Sequence, residues 1–287
     1  MLNFTTLVRK LRLRASYYHC PPSRLSLKHV SVGQVDLVVP RNEDVGRLIY
    51  YLGNYEPEDT DYLMQALRPD DICFDVGANL GYYTVLMAKA VPQGRVYAFE
   101  PDPFSHALLQ LNVRINRLEN VALNCLALGE RSGTSNFFRC TDGAFNSFKD
   151  TARKPVSNVI EVQVTTLDEF ITANDVPRVD FVKVDVEGAE GLVLAGAKGL
   201  LQDSARRPRL LLLELFEENH RSFGDSTAEI LERLRLTHYE PFVVSAKNAM
   251  AYTAGTFANV FFTSGQLNRA GHPQGSPDCL SVGHSSS

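Results

Sequence analysis

Short apolar runs alternate with helical segments along most of the chain, and this alternation constrains the fold more than any other feature. Strands that alternate with helices form a mostly parallel sheet with helices packed on both faces. The runs with the length and composition of buried strands are 71–76, 95–100, 121–128, 178–186, 209–215, 240–244 and 257–263. About a dozen residues separate the last two runs, which suits a hairpin better than a helical crossover. The sequence therefore predicts an α/β sheet whose last strand is antiparallel.

Several of the intervening helices have recognisable start signals. Asp102 is a capping residue followed by a proline, while Thr166 and Ser226 each precede a glutamate by three positions, as in a capping box. Pro57 suits the first turn of an earlier helix. These signals place helices between the predicted strands, as the alternation requires.

The chain of 287 residues is long enough for one large α/β domain with extensions. Residues 1–50 contain one short β-like piece at 34–40 and are predicted to form an N-terminal cap. Residues 51–263 contain the alternating elements and form the predicted main domain. Residues 264–287 are rich in Gly, Ser and Pro, so we expect them to be a disordered tail.

Composition and charge narrow the class of protein. Hydrophobic residues make up 44% and charged residues 22% of the chain, which is typical of a globular protein. The net charge of −4 provides no basic surface for nucleic acid. Five cysteines are scattered without a CxxC pair, which argues against a disulfide framework or a structural zinc site. A reducing, cytoplasmic location is therefore expected.

The N-terminal segment leaves two readings open. Arginines and lysine interrupt the apolar residues of LVRKLRLR at 7–14, so this segment does not look like a signal peptide. It fits either a basic amphipathic helix on a membrane surface or a solvated terminal helix. No run in the sequence approaches the roughly 20 apolar residues that cross a bilayer.

A glycine turn follows the first predicted strand, in the stretch FDVGANLGYYTVLMAKA at 74–90. Gly77 and Gly81 permit a tight turn and the close approach of a ligand to the backbone. A dinucleotide site uses three glycines so that a pyrophosphate can lie at a helix N-terminus. This turn lacks the third glycine and follows Asp75, whose carboxylate suits an ammonium group better than a pyrophosphate. The turn therefore favours S-adenosylmethionine, which carries an ammonium group and no phosphate, over NAD.

Glu100 ends the second predicted strand, next to the glycine turn in the expected sheet. Its two carboxylate oxygens could accept hydrogen bonds from both hydroxyls of a ribose. Because NAD enzymes use the same device, Glu100 alone does not distinguish between the two cofactors.

Several motifs together resemble the FkbM family of S-adenosylmethionine-dependent methyltransferases. They are FDVGANLGYYTVLMAKA, GRVYAFEPDP, LLQLNVRINRLENV, TTLDEF and VDFVKVDVEGAEGLVLAGAKGLL. The resemblance extends from about Gly53 to about Leu215. It implies a class I methyltransferase fold, which is Rossmann-like, with a seven-stranded, mostly parallel sheet and an antiparallel last strand. Characterised members are typically O-methyltransferases, so the implied acceptor is a hydroxyl on a small molecule or a glycan.

The resemblance also implies which residues hold the cofactor. They lie in the glycine turn and at the ends of the following strands: Asp75, Gly77, Asn79, Gly81, Tyr82, Glu100, Pro101, Asp102, Leu126, Ala127 and Asp185. The turn would surround the methionine part, Glu100 and Pro101 would bind the ribose, and Asp102, Leu126 and Ala127 would lie near the adenine. Tyr82, together with Tyr55, Asn146 and Phe148, could also line the acceptor pocket.

The stretch KVDVEGAE contains the densest set of candidate catalytic groups. Lys183, Asp185 and Glu187 alternate along a strand, so all three can face one pocket. Asp185 is the first candidate for a base or acceptor-orienting group, Glu187 the second, and Lys183 is expected to stay charged and fix the carboxylates. The alternative is a salt-bridge cluster without chemistry. His220, predicted to lie in a loop after the fifth strand, is a further candidate for catalysis or acceptor binding, or a surface residue.

Asp185, Glu214 and Asn219 cluster near the ends of neighbouring predicted strands and offer hard oxygen ligands of the kind that Mg²⁺ prefers. The alternative is that Glu214 supports other residues and Asn219 is an ordinary loop residue. The family resemblance does not require a metal, so the expected enzyme works without one.

Two other functions remain open at this stage. An NAD-dependent oxidoreductase would share the sheet and the ribose-binding carboxylate. It would, however, be expected to have the third glycine and no acidic residue where this chain has Asp75. A catalytically silent binding protein would share the whole fold, since a fold does not prove turnover. The oligomeric state and the choice among O-, N- and C-methylation cannot be read from the sequence.

Overall fold

The structure is a computed structural model that describes residues 26–245, 248–252 and 258–265. Its strands are β1 (Leu27–Val32), β2 (Val35–Pro40), β3 (Ile72–Val76), β4 (Arg95–Phe99), β5 (Val121–Asn124), β6 (Ala127–Leu128), β7 (Gly133–Cys140), β8 (Val156–Thr165), β9 (Phe181–Val184), β10 (Leu210–Leu215), β11 (Glu240–Ser245), β12 (Asn248–Ala251) and β13 (Ala258–Thr263). Its helices are α1 (Asp44–Leu52), α2 (Pro57–Ala66), α3 (Tyr82–Ala90), α4 (Pro103–Ile115), α5 (Leu167–Ala173), α6 (Glu190–Ala195), α7 (Lys198–Gln202), α8 (Glu217–Phe223) and α9 (Thr227–Leu236).

The main sheet has eight strands in the order β12-β11-β13-β10-β9-β3-β4-β5. Strands β5, β4, β3, β9 and β10 are parallel, and β13 runs antiparallel to both of its neighbours, β10 and β11. The predicted antiparallel last strand and the class I methyltransferase fold are therefore confirmed. The sheet exceeds the predicted seven strands because β12 pairs with the outer edge of β11.

The predicted third strand, 121–128, divides into two strands. Its first part is β5, which pairs with β4 in the main sheet. The chain then leaves that sheet, and β6 pairs with β8 in a separate three-stranded sheet of order β6-β8-β7. This small sheet brings the loop between β7 and β8 over the carboxyl ends of the main strands.

Two hydrophobic clusters lie on the two faces of the main sheet, as its covering helices require. Strand β10 is buried along its whole length, and its side chains alternate between the clusters. Leu210 and Leu212 belong to the cluster that includes α3 and α4, whereas Leu211 and Leu213 belong to the one that includes α5 and α9. The continuous apolar run of this strand thus reflects burial on both faces.

Residues before the main sheet join the same core. Strands β1 and β2 form an antiparallel hairpin, and the side chain of Leu37 in β2 is fully buried in the cluster beside α4. The Asn112 side chain on α4 accepts a hydrogen bond from the Val38 amide and donates one to the Val38 carbonyl, at 2.7 and 3.1 Å. The basic segment at 7–14 and nearly all of the predicted tail at 264–287 lie outside the described residues.

The order of connection reverses at β3. From β3 the chain builds outward through β4 and β5, then returns to place β9 on the opposite side of β3. In open α/β sheets this reversal opens a crevice at the carboxyl ends of the strands, where ligands bind. Within the described ranges, no helix combines the length and the apolar character needed to cross a membrane.

Candidate active site at the strand ends

A cavity occupies the crevice at the carboxyl ends of β3, β4, β9 and β10. Of the residues singled out from the sequence, it is lined by Tyr55, Asp75, Gly77, Asn79, Tyr82, Glu100, Pro101, Ala127, Asn146, Phe148, Lys183, Asp185, Glu187 and Glu214. The fold therefore brings most of the candidate residues together. Those that do not line it are Gly81, Asp102, Leu126, Asn219 and His220.

The glycine turn joins β3 to α3 and brings backbone segments together. Gly77 has φ +79°, and a Cβ built there would lie 1.8 Å from the carbonyl oxygen of Asp185. Gly81 has φ +90°, and its Cβ would lie 2.6 Å from a methyl of Leu109 on α4. Each glycine thus lets another part of the chain approach the turn. Gly77 also lines the cavity, so the predicted approach of a ligand to the turn stays a prediction.

Asp75 ends β3 with a buried carboxylate that is only partly satisfied. The residue is 1% exposed, and its Oδ2 accepts a hydrogen bond from the Thr84 hydroxyl. Its Oδ1 has no hydrogen-bond partner among the described residues. Burial raises the pKa of Asp75, and the nearby Lys183 ammonium opposes that rise. A buried carboxylate oxygen without a partner is costly, so this position fits a ligand group that donates hydrogen bonds and carries positive charge.

Glu100 follows β4 and is held in place by two backbone amides. Its Oε2 accepts from the Asn79 amide and its Oε1 from the Asp102 amide, both at 2.8 Å. Burial raises the pKa of Glu100 to about 8. Because each carboxylate oxygen has two lone pairs, both oxygens can still accept a hydrogen bond from a ligand hydroxyl.

Asn79 fixes the turn between these two carboxylates. It has φ +49°, a left-handed conformation that asparagine tolerates better than most residues. Its side-chain oxygen accepts a hydrogen bond from the Leu80 amide at 2.7 Å. The asparagine is thus explained by local backbone geometry as well as by its place in the cavity.

Lys183 and Asp185 form an ion pair beside Asp75. The Lys183 Nζ lies 2.8 Å from Asp185 Oδ2, and it lies above the Tyr83 ring at 4.9 Å from the ring centroid. Burial disfavours the charge of Lys183, but the surrounding carboxylates, Asp185 first, outweigh it and raise its pKa. Lys183 is therefore a permanent cation at neutral pH, which agrees with its expected positioning role and removes it as a base.

Glu187 does not continue the alternation of side chains that was predicted for the strand. Strand β9 ends at Val184, and Glu187 has φ +55°, so its side chain is placed by the turn that follows. Its carboxylate contacts the Arg153 guanidinium and accepts a hydrogen bond from the Asn219 amide at 2.9 Å. Burial, together with the charge of Asp185, raises the pKa of Glu187 to about 8.

Three carboxylates converge at one end of the cavity. Asp185, Glu187 and Glu214 each offer one oxygen atom, and these oxygens lie within 4.8 Å of one another. We call them the acidic cluster. Of the predicted set of Asp185, Glu214 and Asn219, the two carboxylates lie together, whereas Asn219 does not line the cavity and directs its amide nitrogen at Glu187.

His220 lies on helix α8 rather than in a loop, and it does not reach the cavity. It is fully buried, with Nδ1 3.0 Å from the Thr227 hydroxyl and Nε2 3.1 Å from Glu190 Oε2. The other Glu190 oxygen accepts hydrogen bonds from the amides of Val186 and Gly188. His220 therefore stabilises the turn that carries Glu187, and Glu190 is a positioning residue that the sequence analysis missed.

The contacts of Asp102 and Leu126 stabilise the fold. Asp102 caps α4 by accepting from the Ser105 amide at 2.9 Å, and it contacts the Arg139 guanidinium. Leu126 packs against the cluster beside α5. Both stay next to the cavity-lining residues Pro101 and Ala127 in the chain, without lining the cavity themselves.

The loop between β7 and β8 supplies contacts that the sequence did not reveal. The Ser147 hydroxyl donates to the Glu187 carbonyl at 3.0 Å. The Arg153 guanidinium lies above the rings of Phe145 and Phe216, at 4.5 and 4.9 Å from their centroids. This loop therefore closes one side of the cavity and ties Glu187 to it. Its composition of glycine, serine and charged residues contained no signal of these pairings.

The mostly parallel sheet, its chain reversal and the glycine turn define an α/β protein with a cavity at the carboxyl edge of the sheet. A family model described as "Methyltransferase FkbM domain" matches residues 75–241, which include every candidate site residue from Asp75 to Asn219 and His220. The chain belongs to the FkbM methyltransferase family.

Three curated relatives each match just under half of this chain. It is 26% identical to the 2-O-methyltransferase NoeI of Sinorhizobium fredii, covering 47% of this chain and 60% of the relative. It is 28% identical to the 31-O-demethyl-FK506 methyltransferase FkbM of Streptomyces tacrolimicus, covering 46% and 61%. It is also 28% identical to the hexuronic acid methyltransferase AglP of Haloferax volcanii, covering 49% and 55%. The chain thus spans little more than half the length of these relatives.

Proposed function

We propose that the protein is an S-adenosylmethionine-dependent O-methyltransferase that acts on a hydroxyl of a carbohydrate or a secondary metabolite. The observation that carries the proposal is the Oδ1 of Asp75, a buried carboxylate oxygen that has no hydrogen-bond partner among the described residues and lies in the same cavity as Glu100, at the chain reversal. Membership of the family and the activities of the three relatives support the reaction class.

Different residues of the cavity would bind different parts of the cofactor. Asp75 would bind the ammonium group of the methionine part, which would satisfy its free oxygen. Glu100 would accept hydrogen bonds from both ribose hydroxyls, while Pro101 and Ala127 would lie beside the adenine. When bound, S-adenosylmethionine supplies a methyl group that is already electrophilic because it is attached to a sulfonium.

The chain's own residues would then orient the acceptor and exclude water. Asp185 lines the cavity with one oxygen fixed by Lys183, so its other oxygen can accept the hydrogen bond of an acceptor hydroxyl. As the acceptor oxygen takes the methyl group and the carbon–sulfur bond breaks, leaving its electron pair on sulfur, the hydroxyl proton would pass to this carboxylate. Tyr55 and Phe148 would cover the acceptor, and Glu187 would hold the loop between β7 and β8 through Arg153.

The proposal is tested by incubating the full chain with S-adenosylmethionine and a panel of sugars, uronic acids and polyketide alcohols. Mass spectrometry should find a product heavier by one methyl group, attached to oxygen. Asp185→Asn should lower turnover strongly while S-adenosylhomocysteine affinity is largely retained, and Glu232→Gln, on an exposed helix position, should match the wild type. A methyl group on nitrogen or carbon would contradict O-methylation, and undiminished turnover of Asp185→Asn would remove its role.

A further inference from the structure

Glu214 is the member of the acidic cluster that has no cationic partner among the described residues. The residue ends the buried strand β10, is 8% exposed and lines the cavity. Among the described residues, its carboxylate has neither a hydrogen bond nor an ion pair. A buried carboxylate without a partner costs several kcal/mol unless a ligand compensates it or it takes up a proton.

The other two members of the acidic cluster each have a cation. Asp185 pairs with Lys183 at 2.8 Å, and Glu187 pairs with Arg153. Both pairs still leave carboxylate oxygens available at the cluster. Three carboxylates therefore face two cations, and Glu214 is the member that has no cation among the described residues.

The spacing of the acidic cluster suits a hard metal ion. One oxygen from each carboxylate lies within 4.8 Å of the other two. Ligand oxygens bound to Mg²⁺ or Ca²⁺ at about 2.0–2.6 Å can be at most about 4–5 Å apart across the ion. One ion can thus contact all three carboxylates with little side-chain movement, and an all-oxygen set selects Mg²⁺, Mn²⁺ or Ca²⁺ over softer metals.

We propose that Asp185, Glu187 and Glu214 bind one divalent cation, and that Glu214, which has no other partner among the described residues, serves as a dedicated ligand. Three carboxylates leave the remaining coordination positions open toward the cavity. Under the proposed function, on which this last point rests, those positions would take an oxygen of the acceptor and hold it near Asp185, whose free oxygen has two lone pairs and can contact the cation and the acceptor hydroxyl together. The cation site itself does not depend on methyl transfer.

The test uses Mn²⁺ as the probe and paramagnetic resonance as the readout. The full chain, treated with a chelator and then dialysed, is titrated with Mn²⁺ in the presence and absence of S-adenosylhomocysteine. The wild type should bind one Mn²⁺ saturably, and Mg²⁺ should compete for the site. Glu214→Gln should weaken Mn²⁺ binding about 10-fold or more, because it replaces a charged ligand by a neutral one of the same shape. Glu232→Gln, an exposed exchange of the same type, should leave binding unchanged.

Far-ultraviolet circular dichroism and a cooperative urea transition show whether each variant is folded. If Glu214→Gln fails that check, Glu187→Gln takes its place with the same expectation. Absence of saturable Mn²⁺ binding by the wild type at millimolar concentration would overturn the proposal, as would equal binding by wild type and both folded variants. Mn²⁺ binding by a chain that does not bind S-adenosylhomocysteine would uphold the cation site and overturn the proposed function instead.

Discussion

Replacing Gly77 by alanine tests whether the glycine turn is set by the close approach of β9. Gly77 has φ +79°, where a Cβ would lie 1.8 Å from the Asp185 carbonyl oxygen and 2.9 Å from its carbonyl carbon. Gly224, at the end of α8, has φ +77° and nothing within 4 Å of its Cβ position. The two glycines thus share a backbone conformation and differ in the space around them, which makes Gly224→Ala a matched control.

The expected loss in the free energy of unfolding is the sum of two costs, backbone strain and steric overlap. The left-handed conformation costs alanine about 1–2 kcal/mol at both positions. Overlap adds the cost of displacing packed backbone at Gly77 alone, about 1–3 kcal/mol by analogy with overpacked cores. Gly77→Ala should therefore lower the free energy of unfolding by about 2–5 kcal/mol, and Gly224→Ala by about 1–2 kcal/mol. Alanine also stiffens the unfolded chain equally in both variants, so this effect cancels in the comparison.

Urea unfolding followed by far-ultraviolet circular dichroism measures both variants, since the chain has no tryptophan to report by fluorescence. S-adenosylhomocysteine affinity should also fall for Gly77→Ala, because Asp75 and Asp185 flank the displaced contact. Equal destabilisation by the two substitutions, with unchanged affinity, would refute the packing explanation of the turn.

Three further predictions concern the charged groups. Asp75→Asn should weaken S-adenosylhomocysteine binding in calorimetry by about 1.5–3 kcal/mol, the contribution of a hydrogen bond to a charged group; unchanged affinity would exclude Asp75 as the ammonium ligand. His220→Ala should lower the free energy of unfolding by about 2–4 kcal/mol, because it leaves Glu190 buried without its partner, whereas a purely catalytic role would lower turnover at constant stability. Burial, with the charge of Asp142, raises the pKa of Glu43 from 4.5 to about 7. Glu43 then holds a proton in the folded state that it has lost in the unfolded state between these values, so its contribution to the free energy of unfolding should fall as pH rises through this window, by at most about 3 kcal/mol. Glu100 and Glu187, whose pKa values are raised to about 8, should extend the fall to higher pH. Glu43→Gln should flatten that slope in urea titrations at pH 5 and 7.5, and an unaltered slope would assign the effect to another group.

The parallel sheet was predictable because its strands are buried on both faces. Strand β10 begins with four consecutive leucines between Arg209 and Glu214, and such runs carry their own signal. The first elements of the chain carry no such signal. Strand β1 is mostly exposed, and helix α1 has Glu43 as its N-cap without a side-chain hydrogen bond, so neither pattern stands out in the sequence.

Helix α8 illustrates a signal that was present but overlooked. It begins after Phe216 without a side-chain cap, which hides its start. It ends at Gly224 in the left-handed conformation typical of a helix C-terminus. Reading that glycine as a helix end would have placed His220 on a helix, although only the fold shows that its ring faces Glu190.

The candidate site was predictable as far as topology determines it. The carboxyl ends of neighbouring parallel strands meet at one edge, so Asp75, Glu100 and Asp185 come together wherever those strands pair. The partners of Glu187 could not be predicted, because Arg153 and Asn219 come from segments whose paths depend on tertiary packing. The positive φ of Glu187 also breaks the alternation on which its placement was based.

Calorimetric titration of the full chain with S-adenosylhomocysteine, in parallel with NAD, tests the central claim most directly. A cavity in which one buried oxygen of Asp75 has no hydrogen-bond partner among the described residues should bind S-adenosylhomocysteine at one site per chain, with weaker affinity in Asp75→Asn, and should not bind NAD. Saturable binding of NAD with no heat from S-adenosylhomocysteine would contradict the account.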